Sequence, residues 1–171
     1  MQTIGVAIAI PEPWGTRLQD YRTALGDDSA ALIPTHITLV PPTTLAGEGD
    51  LERVEQHLGE VAQRHAGFEI HLRGTGTFRP VSPVVFVTVA VGISQCERLA
   101  EDVRTGPLAV DLTFPYHPHV TVAHDLADDR LDRAFDELAD FECRFSAAEF
   151  HLYRHSEADG WVPTRAFPLQ P

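Results

Sequence analysis

The 171-residue sequence contains no lysine; all thirteen of its basic side chains are arginine. Schiff-base chemistry and a P-loop lysine are thereby excluded. Cysteine is almost absent too. Cys96 and Cys143 stand far apart and outside any CxxC spacing, so neither a disulfide framework nor a zinc knuckle is expected, and both read as reduced, buried thiols. Long apolar runs are also missing: the first, in MQTIGVAIAIPEPWG, has no basic leader and stops at Pro11, too soon for a signal peptide or a membrane span. Positive charge is scarce as well. Thirteen basic against twenty-five acidic residues give a net charge of −12, a field that repels polyphosphates and anionic membranes. The expectation is a cytoplasmic protein with no membrane or DNA partner, whose nucleic-acid ligand, if any, is small.

What is present suffices for an ordinary core. Hydrophobic residues make up 43% and charged residues 22%, so the chain can bury apolar surface without covalent staples. Its length suggests one domain over residues 1–171, or two intertwined small lobes sharing a core.

Thr3 to Ile10 is β-branched and bounded by prolines, which predicts a buried first strand. Trp14, Leu18, Tyr21 and Leu25 recur at helical spacing, with Gly26 placed as a C-terminal cap. His36 to Val40 reads as a short strand stopped by Pro41 and Pro42. Leu51, Val54, Leu58 and Val61 mark a second helix. Phe68 to Arg73 and Val84 to Val91 read as strands joined by a loop from Gly74 to Pro83. Ser94 and Glu97 resemble a capping box for a third helix carrying Cys96, Leu99, Ala100 and Val103 on one face. Val120 to Ala123 is a strand, and Leu131, Phe135 and Leu138 mark a fourth helix preceded by capping aspartates. Glu142 to Tyr153 and Trp161 to Leu169 read as a terminal hairpin. This order suggests two related halves and an α+β architecture with antiparallel sheets, not a doubly wound parallel sheet.

Two of these strands share a pattern: His36-Ile37-Thr38-Leu39 and His119-Val120-Thr121-Val122. Side chains alternate along a strand, so each His and its Thr point one way while the apolar pair points into the core. Two imidazoles facing one site supply a base and an acid for opening a phosphodiester at a ribose, without a metal. The threonine hydroxyls can donate to phosphoryl oxygens as they gain charge. The plainer reading makes these histidines caps or core residues, and it leaves the repetition of the polar pair without a cause.

With Tyr116-His117-Pro118 leading into the second motif and the stretch Phe150 to Trp161 following late, the sequence resembles the 2H phosphoesterase superfamily, in particular its 2′-5′ RNA ligase-like or cyclic phosphodiesterase group. The resemblance covers nearly the whole chain, with motifs 83 residues apart. It implies a bilobal fold of two antiparallel sheets flanked by helices, with pseudo-two-fold duplicated halves around a central groove. It also implies metal-independent action on 2′,3′-cyclic phosphates or 2′-5′ linkages of nucleotides or short RNA ends, with His36, Thr38, His119 and Thr121 as catalytic residues and no cofactor. One departure bears on substrate size: His124-Asp125 follows Ala123 where relatives of the ligase branch often carry a basic residue, which speaks against long RNA.

Phe78 and Arg79 are candidates for stacking a base and holding a phosphate, and Tyr116, Tyr153 and Arg154 are similar candidates. His117 and His119 could begin a metal site, but no third ligand is spaced nearby. The same segment resembles the histidine-triad nucleotide hydrolases, except that Thr121 stands where a third histidine would and His36-x-Thr38 is left without a role. His57, His65, His71, His124, His151 and His155 read as structural or exposed. The acidic stretch Asp125 to Asp136, interleaved with Arg130 and Arg133, reads as a solvated helix face. The alternatives to a hydrolase are a module that binds a cyclic or 2′-5′-linked nucleotide without turnover, and an enzyme joining RNA ends by the reverse reaction. A monomer is expected. The natural substrate, the base preference and the choice of acid between the histidines are left open.

Overall fold

The computed structural model describes residues 1–171. Eight strands and four helices follow in the order β1 (Gln2–Ala9), α1 (Trp14–Leu25), β2 (His36–Leu45), α2 (Asp50–Gln63), β3 (Phe68–Thr77), β4 (Val84–Val91), α3 (Ile93–Val103), β5 (His119–His124), α4 (Asp128–Glu137), β6 (Glu142–Ala147), β7 (Glu149–Ser156) and β8 (Gly160–Pro168). The strands form two four-stranded antiparallel sheets, ordered β2-β1-β7-β8 and β5-β4-β3-β6. This is the α+β architecture that the element order predicts.

Each motif strand is an edge strand, paired with the strand before it in the chain, and the edges β2 and β5 meet. The helices cross over. α1, which leads into the first motif, packs on β5, while α3, which leads into the second, packs on β2. Ile4, Val6, Ile8, Ile37 and Leu39 of one sheet and Val85, Val87, Val120 and Val122 of the other turn toward the helices. They join Leu18, Leu58, Leu99 and Leu131 in one buried cluster. The opposite faces of the sheets are left for the motif residues.

Several predicted boundaries change, each for a tertiary reason. β2 does not stop at Pro41 but runs to Leu45. Proline lacks the N–H of a ladder, yet an edge strand tolerates it, and here the register breaks opposite Pro41 and Pro42 before resuming at Thr43. β3 continues past Gly74 to Thr77, absorbing the glycine in a register irregularity between Leu72 and Thr75. The Ser94–Glu97 box does not form: α3 starts earlier, from Gly92 at φ 104°, with no side-chain cap. Nor do aspartates cap α4. Ala127 holds that position, and Asp128 and Asp129 lie in the first turn, where the helix dipole favours them.

The predicted strand Glu142 to Tyr153 is two strands in different sheets: β6 pairs with β3, and β7 pairs with β1 and β8. Cys143 and Ala147 are buried on β6, then Phe150 and Leu152 on β7. The alternation thus changes phase at Ala148, which one continuous strand would not do. Cys96 and Cys143 are both free and buried.

Candidate active site

The two motif strands are built alike down to an irregularity. His36 and Thr38 lie opposite Ala9 and Ala7 of β1, and His119 and Thr121 lie opposite Thr88 and Phe86 of β4. In each ladder the next pairing skips one residue, Leu39 in β2 and Val122 in β5. Both strands therefore carry a one-residue bulge directly after the threonine, a device that bends a strand and re-aims its neighbours. All four polar motif residues are half-buried, while Ile37, Leu39, Val120 and Val122 are fully buried.

The histidines are anchored in the same way. His36 Nδ1 lies 2.6 Å from the Pro34 carbonyl and His119 Nδ1 lies 2.7 Å from the His117 carbonyl. A carbonyl only accepts, so each Nδ1 carries the proton and donates it, which leaves Nε2 of each neutral ring as a free acceptor. Burial lowers the His36 pKa from its ordinary value; the bond to Pro34 opposes this, and the positive charge of Arg22 adds to it. His119 is lowered chiefly by burial too, against the bond to His117, with further lowering from the charges of His117 and His36. The field of His36 thus reaches His119, and both imidazoles are poised neutral near pH 7.

Around His119 the surroundings are aromatic. Phe78 meets its ring edge-on at 4.9 Å, Phe86 lies at 5.4 Å and His117 at 5.9 Å. Phe86 in turn rests over Gly76, where a Cβ would come within 2.6 Å of the ring. Around His36 there is space instead. A cleft is lined by His36 and Thr38 together with Gly5, Ala7, Tyr153 and Trp161. Burial pushes the Tyr153 phenol up to about 12.

The other candidates fall in different places. Phe78 and Tyr153 stand at the two motifs, as just described. Tyr116 spends its hydroxyl on the Thr38 carbonyl at 2.7 Å, with Arg104 over its ring at 5.1 Å. Arg79 is turned to α4, bonding Asp132 at 2.8 Å with Asp128 at 3.8 Å. Arg154 is exposed on β7, and alternation points it away from the face that Tyr153 occupies. Of the remaining histidines, His57 bonds the Val103 carbonyl, His65 bonds Asp102 and His71 bonds Glu142. Sequence reasoning missed Trp161, Gly5, Ala7 and Phe86. The alternation of Gly5, Ala7 and Ala9 with Ile4, Val6 and Ile8 was the available signal: one face of β1 is apolar and large, the other uniformly small.

Known proteins resemble the chain in sequence and in fold. A Bacillus cytotoxicus protein, whose name proposes it as a phosphoesterase, is 31% identical over 147 residues, covering 84% of this chain and 83% of that one. The Thermus thermophilus protein TT0787 superposes with a TM-score of 0.71 at 23% identity, over 99% of this chain and 98% of that one. Escherichia coli LigT, solved with NADP+, gives a TM-score of 0.69 at 19% identity, again over 99% and 98%. A sequence model described as the 2′-5′ RNA ligase superfamily matches residues 10–159, and the chain belongs to that family.

Proposed function

We propose that the chain is a metal-independent phosphoesterase that opens the 2′,3′-cyclic phosphate of a nucleotide or a short RNA end, using His36 and His119 as its acid–base pair. The observation that carries this reading is the duplicated anchoring of the imidazoles: each Nδ1 is held by a carbonyl two residues back, leaving two Nε2 atoms free. A free enzyme with two neutral imidazoles needs one proton to become competent, and an anionic phosphate favours its uptake.

In the reaction, the neutral imidazole takes a proton from water, whose oxygen bonds to phosphorus. The bond from phosphorus to the ribose 3′ oxygen breaks, and the protonated imidazole gives its proton to that oxygen, leaving a 2′-phosphate. Thr38 and Thr121 donate hydrogen bonds to the non-bridging oxygens as they gain charge. LigT, which shares the fold, has been solved with 3′-AMP and with phosphate, in keeping with a site for small nucleotides. The net charge of −12 favours such ligands over long RNA.

The test is hydrolysis of a panel of 2′,3′-cyclic nucleotides in excess EDTA, with product identification. Turnover to the 2′-phosphate is expected, with His36→Ala and His119→Ala each losing about 10²- to 10⁴-fold, the usual worth of a positioned acid or base. Full activity in either variant, or dependence on added metal, overturns the reading. Thermal stabilisation by the nucleotides without any product would instead mark a binding module.

A further inference from the structure

The motif strands are duplicated, but the residues that anchor their histidines are not. His36 is held by the carbonyl of Pro34 and His119 by the carbonyl of His117. The first anchor is a proline, with no polar side chain to offer. The second brings an imidazole of its own, whose ring lies 5.9 Å from that of His119, a separation that one phosphate group can bridge with a hydrogen bond to each.

The surroundings of His117 suit a positive charge. The residue is exposed, so water reaches it, and its ring meets Phe78 at 5.4 Å and Phe86 at 5.2 Å, both edge to face. Phenyl faces attract a cation. His65, His71, His124 and His151 stand beside carboxylates at 2.7 to 3.7 Å, whereas His117 has no such partner; a carboxylate there would repel a phosphate. Of the three rings packed on His117, that of His119 titrates, and His36 on β2 acts on the group through His119. Arg79, which follows Phe78, is turned to Asp132 and Asp128 of α4, and Tyr116 gives its hydroxyl to Thr38.

The reaction proposed above needs a cation that the motifs do not supply. Negative charge grows on the phosphoryl oxygens as water adds, and the hydroxyls of Thr38 and Thr121 bring dipoles without a charge. The arginines nearby are committed elsewhere: Arg79 to α4, Arg104 to the Tyr116 ring and the Leu39 carbonyl, Arg22 to Asp27.

We infer that His117, in its protonated form, is the phosphate-binding cation of the site, donating a hydrogen bond to a non-bridging oxygen while His36 and His119 carry the proton transfers. The inference rests on the phosphoesterase reading and adds to it a third imidazole that neither gives up nor takes a proton in the reaction. The anchor on His119 is a main-chain carbonyl, so replacing the His117 side chain removes the charge and keeps the anchor.

The experiment measures kcat/KM for adenosine 2′,3′-cyclic phosphate, and inhibition by inorganic phosphate, at pH 6 and pH 8 in the wild type, His117→Gln and His117→Lys. At pH 6 the glutamine variant should lose about tenfold in kcat/KM and in phosphate affinity, the worth of one charge-assisted hydrogen bond. At pH 8, where an ordinary imidazole carries no charge, the loss should shrink to within about twofold. His117→Lys, charged at both pH values, should stay within about threefold of the wild type at pH 6 and hold phosphate more tightly than the wild type at pH 8. A loss of equal size at both pH values would reveal a packing role and overturn the inference, as would a lysine variant no better than the glutamine one.

A second readout does not need turnover. Inorganic phosphate at pH 6 should shift the ring-proton NMR resonance of His117 in the wild type and should bind about tenfold more weakly to His117→Gln. Phosphate binding that depends on His117, in a protein that hydrolyses no cyclic phosphate, would sink the phosphoesterase reading and sustain the cation. Hydrolysis with phosphate affinity indifferent to His117 would overturn the cation and leave that reading intact.

Discussion

The hydroxyl of Tyr116 donates a 2.7 Å hydrogen bond to the main-chain carbonyl of Thr38. It ties the segment entering the second motif to the backbone of the first. Arg104 completes the tie, stacking on the Tyr116 ring and donating from Nη1 to the Leu39 carbonyl at 3.3 Å. Both carbonyls belong to the bulged part of β2, where the ladder to β1 is interrupted. A bulge on an edge strand leaves backbone groups to be satisfied, and here side chains from the other half satisfy them.

Tyr116→Phe should therefore act on the spacing of the two motifs. Removing the donor leaves a half-buried carbonyl without this partner, a loss of about 1–3 kcal/mol in stability. We expect kcat to fall several-fold with KM nearly constant, since the phosphate-facing groups are all retained. Denaturant unfolding beside steady-state kinetics checks both parts, and a KM effect with kcat intact would show that the hydroxyl touches substrate instead.

The pH profile follows from the lowered pKa of both histidines. In the free enzyme one imidazole must be charged and the other neutral, and both titrate below the ordinary value of about 6.5. The optimum of kcat/KM is accordingly expected on the acid side of that value, falling as pH rises because the acid is lost. Stability has the matching sign: a depressed folded pKa means that the unfolded chain binds protons first, so stability present at pH 7 to 8 is lost as pH falls through and below about 6.5. Phosphate should restore part of it, and should raise Tm more at pH 6 than at pH 8.

Much of the site could be read from the sequence, because the period of a strand is short and local. His36 with Thr38, and His119 with Thr121, share a face by alternation alone, and the core-facing partners Ile37, Leu39, Val120 and Val122 come out fully buried. What escaped depends on sheet position. Pro41 and Pro42 look like a stop until β2 is known to be an edge, and Gly74 looks like a loop until β4 holds β3 on both sides of it. Trp161 and Gly5 are far apart in the chain and meet through β7, so neither carries a local sign of the cleft they share.

Gly76→Ala should damage the second motif at a distance. The added Cβ would lie 2.6 Å from the Phe86 ring, which is hemmed in by Phe78, His117 and His119 at 4.5 to 5.4 Å. Overpacking of this kind costs about 1–3 kcal/mol, and relief by tilting Phe86 would displace the His119 ring. A lower unfolding midpoint together with a several-fold drop in kcat is expected. Lost stability with kcat fully retained would mean that the ring cluster does not position His119.

Arg79→Ala provides a contrast. Its guanidinium is already bound to Asp132 and Asp128 of α4, so kcat/KM should stay within about twofold, while a guanidinium on the reacting phosphate would cost far more, as charge-assisted bonds do. A loss of tenfold or more would return Arg79 to the candidates for phosphate binding.

The charge behind His36 gives the last prediction. Arg22 is 5% exposed and pairs with Asp27 at 2.8 Å. Burial alone would raise the Asp27 pKa, but bonds from Ser29 and Arg22 outweigh it and keep the carboxyl below its ordinary value. The pair therefore stays ionic, and its positive end is the one that His36 senses. Asp27→Asn strips the compensation from a buried guanidinium, which should cost about 3–5 kcal/mol in stability and push the His36 pKa further down. Arg22→Met removes the opposing charge and should raise it. Titration of the His36 ring proton by NMR reads the two shifts directly. Opposite signs in the two variants are expected; shifts of the same sign would mean that the pair acts on His36 through packing and not through its field.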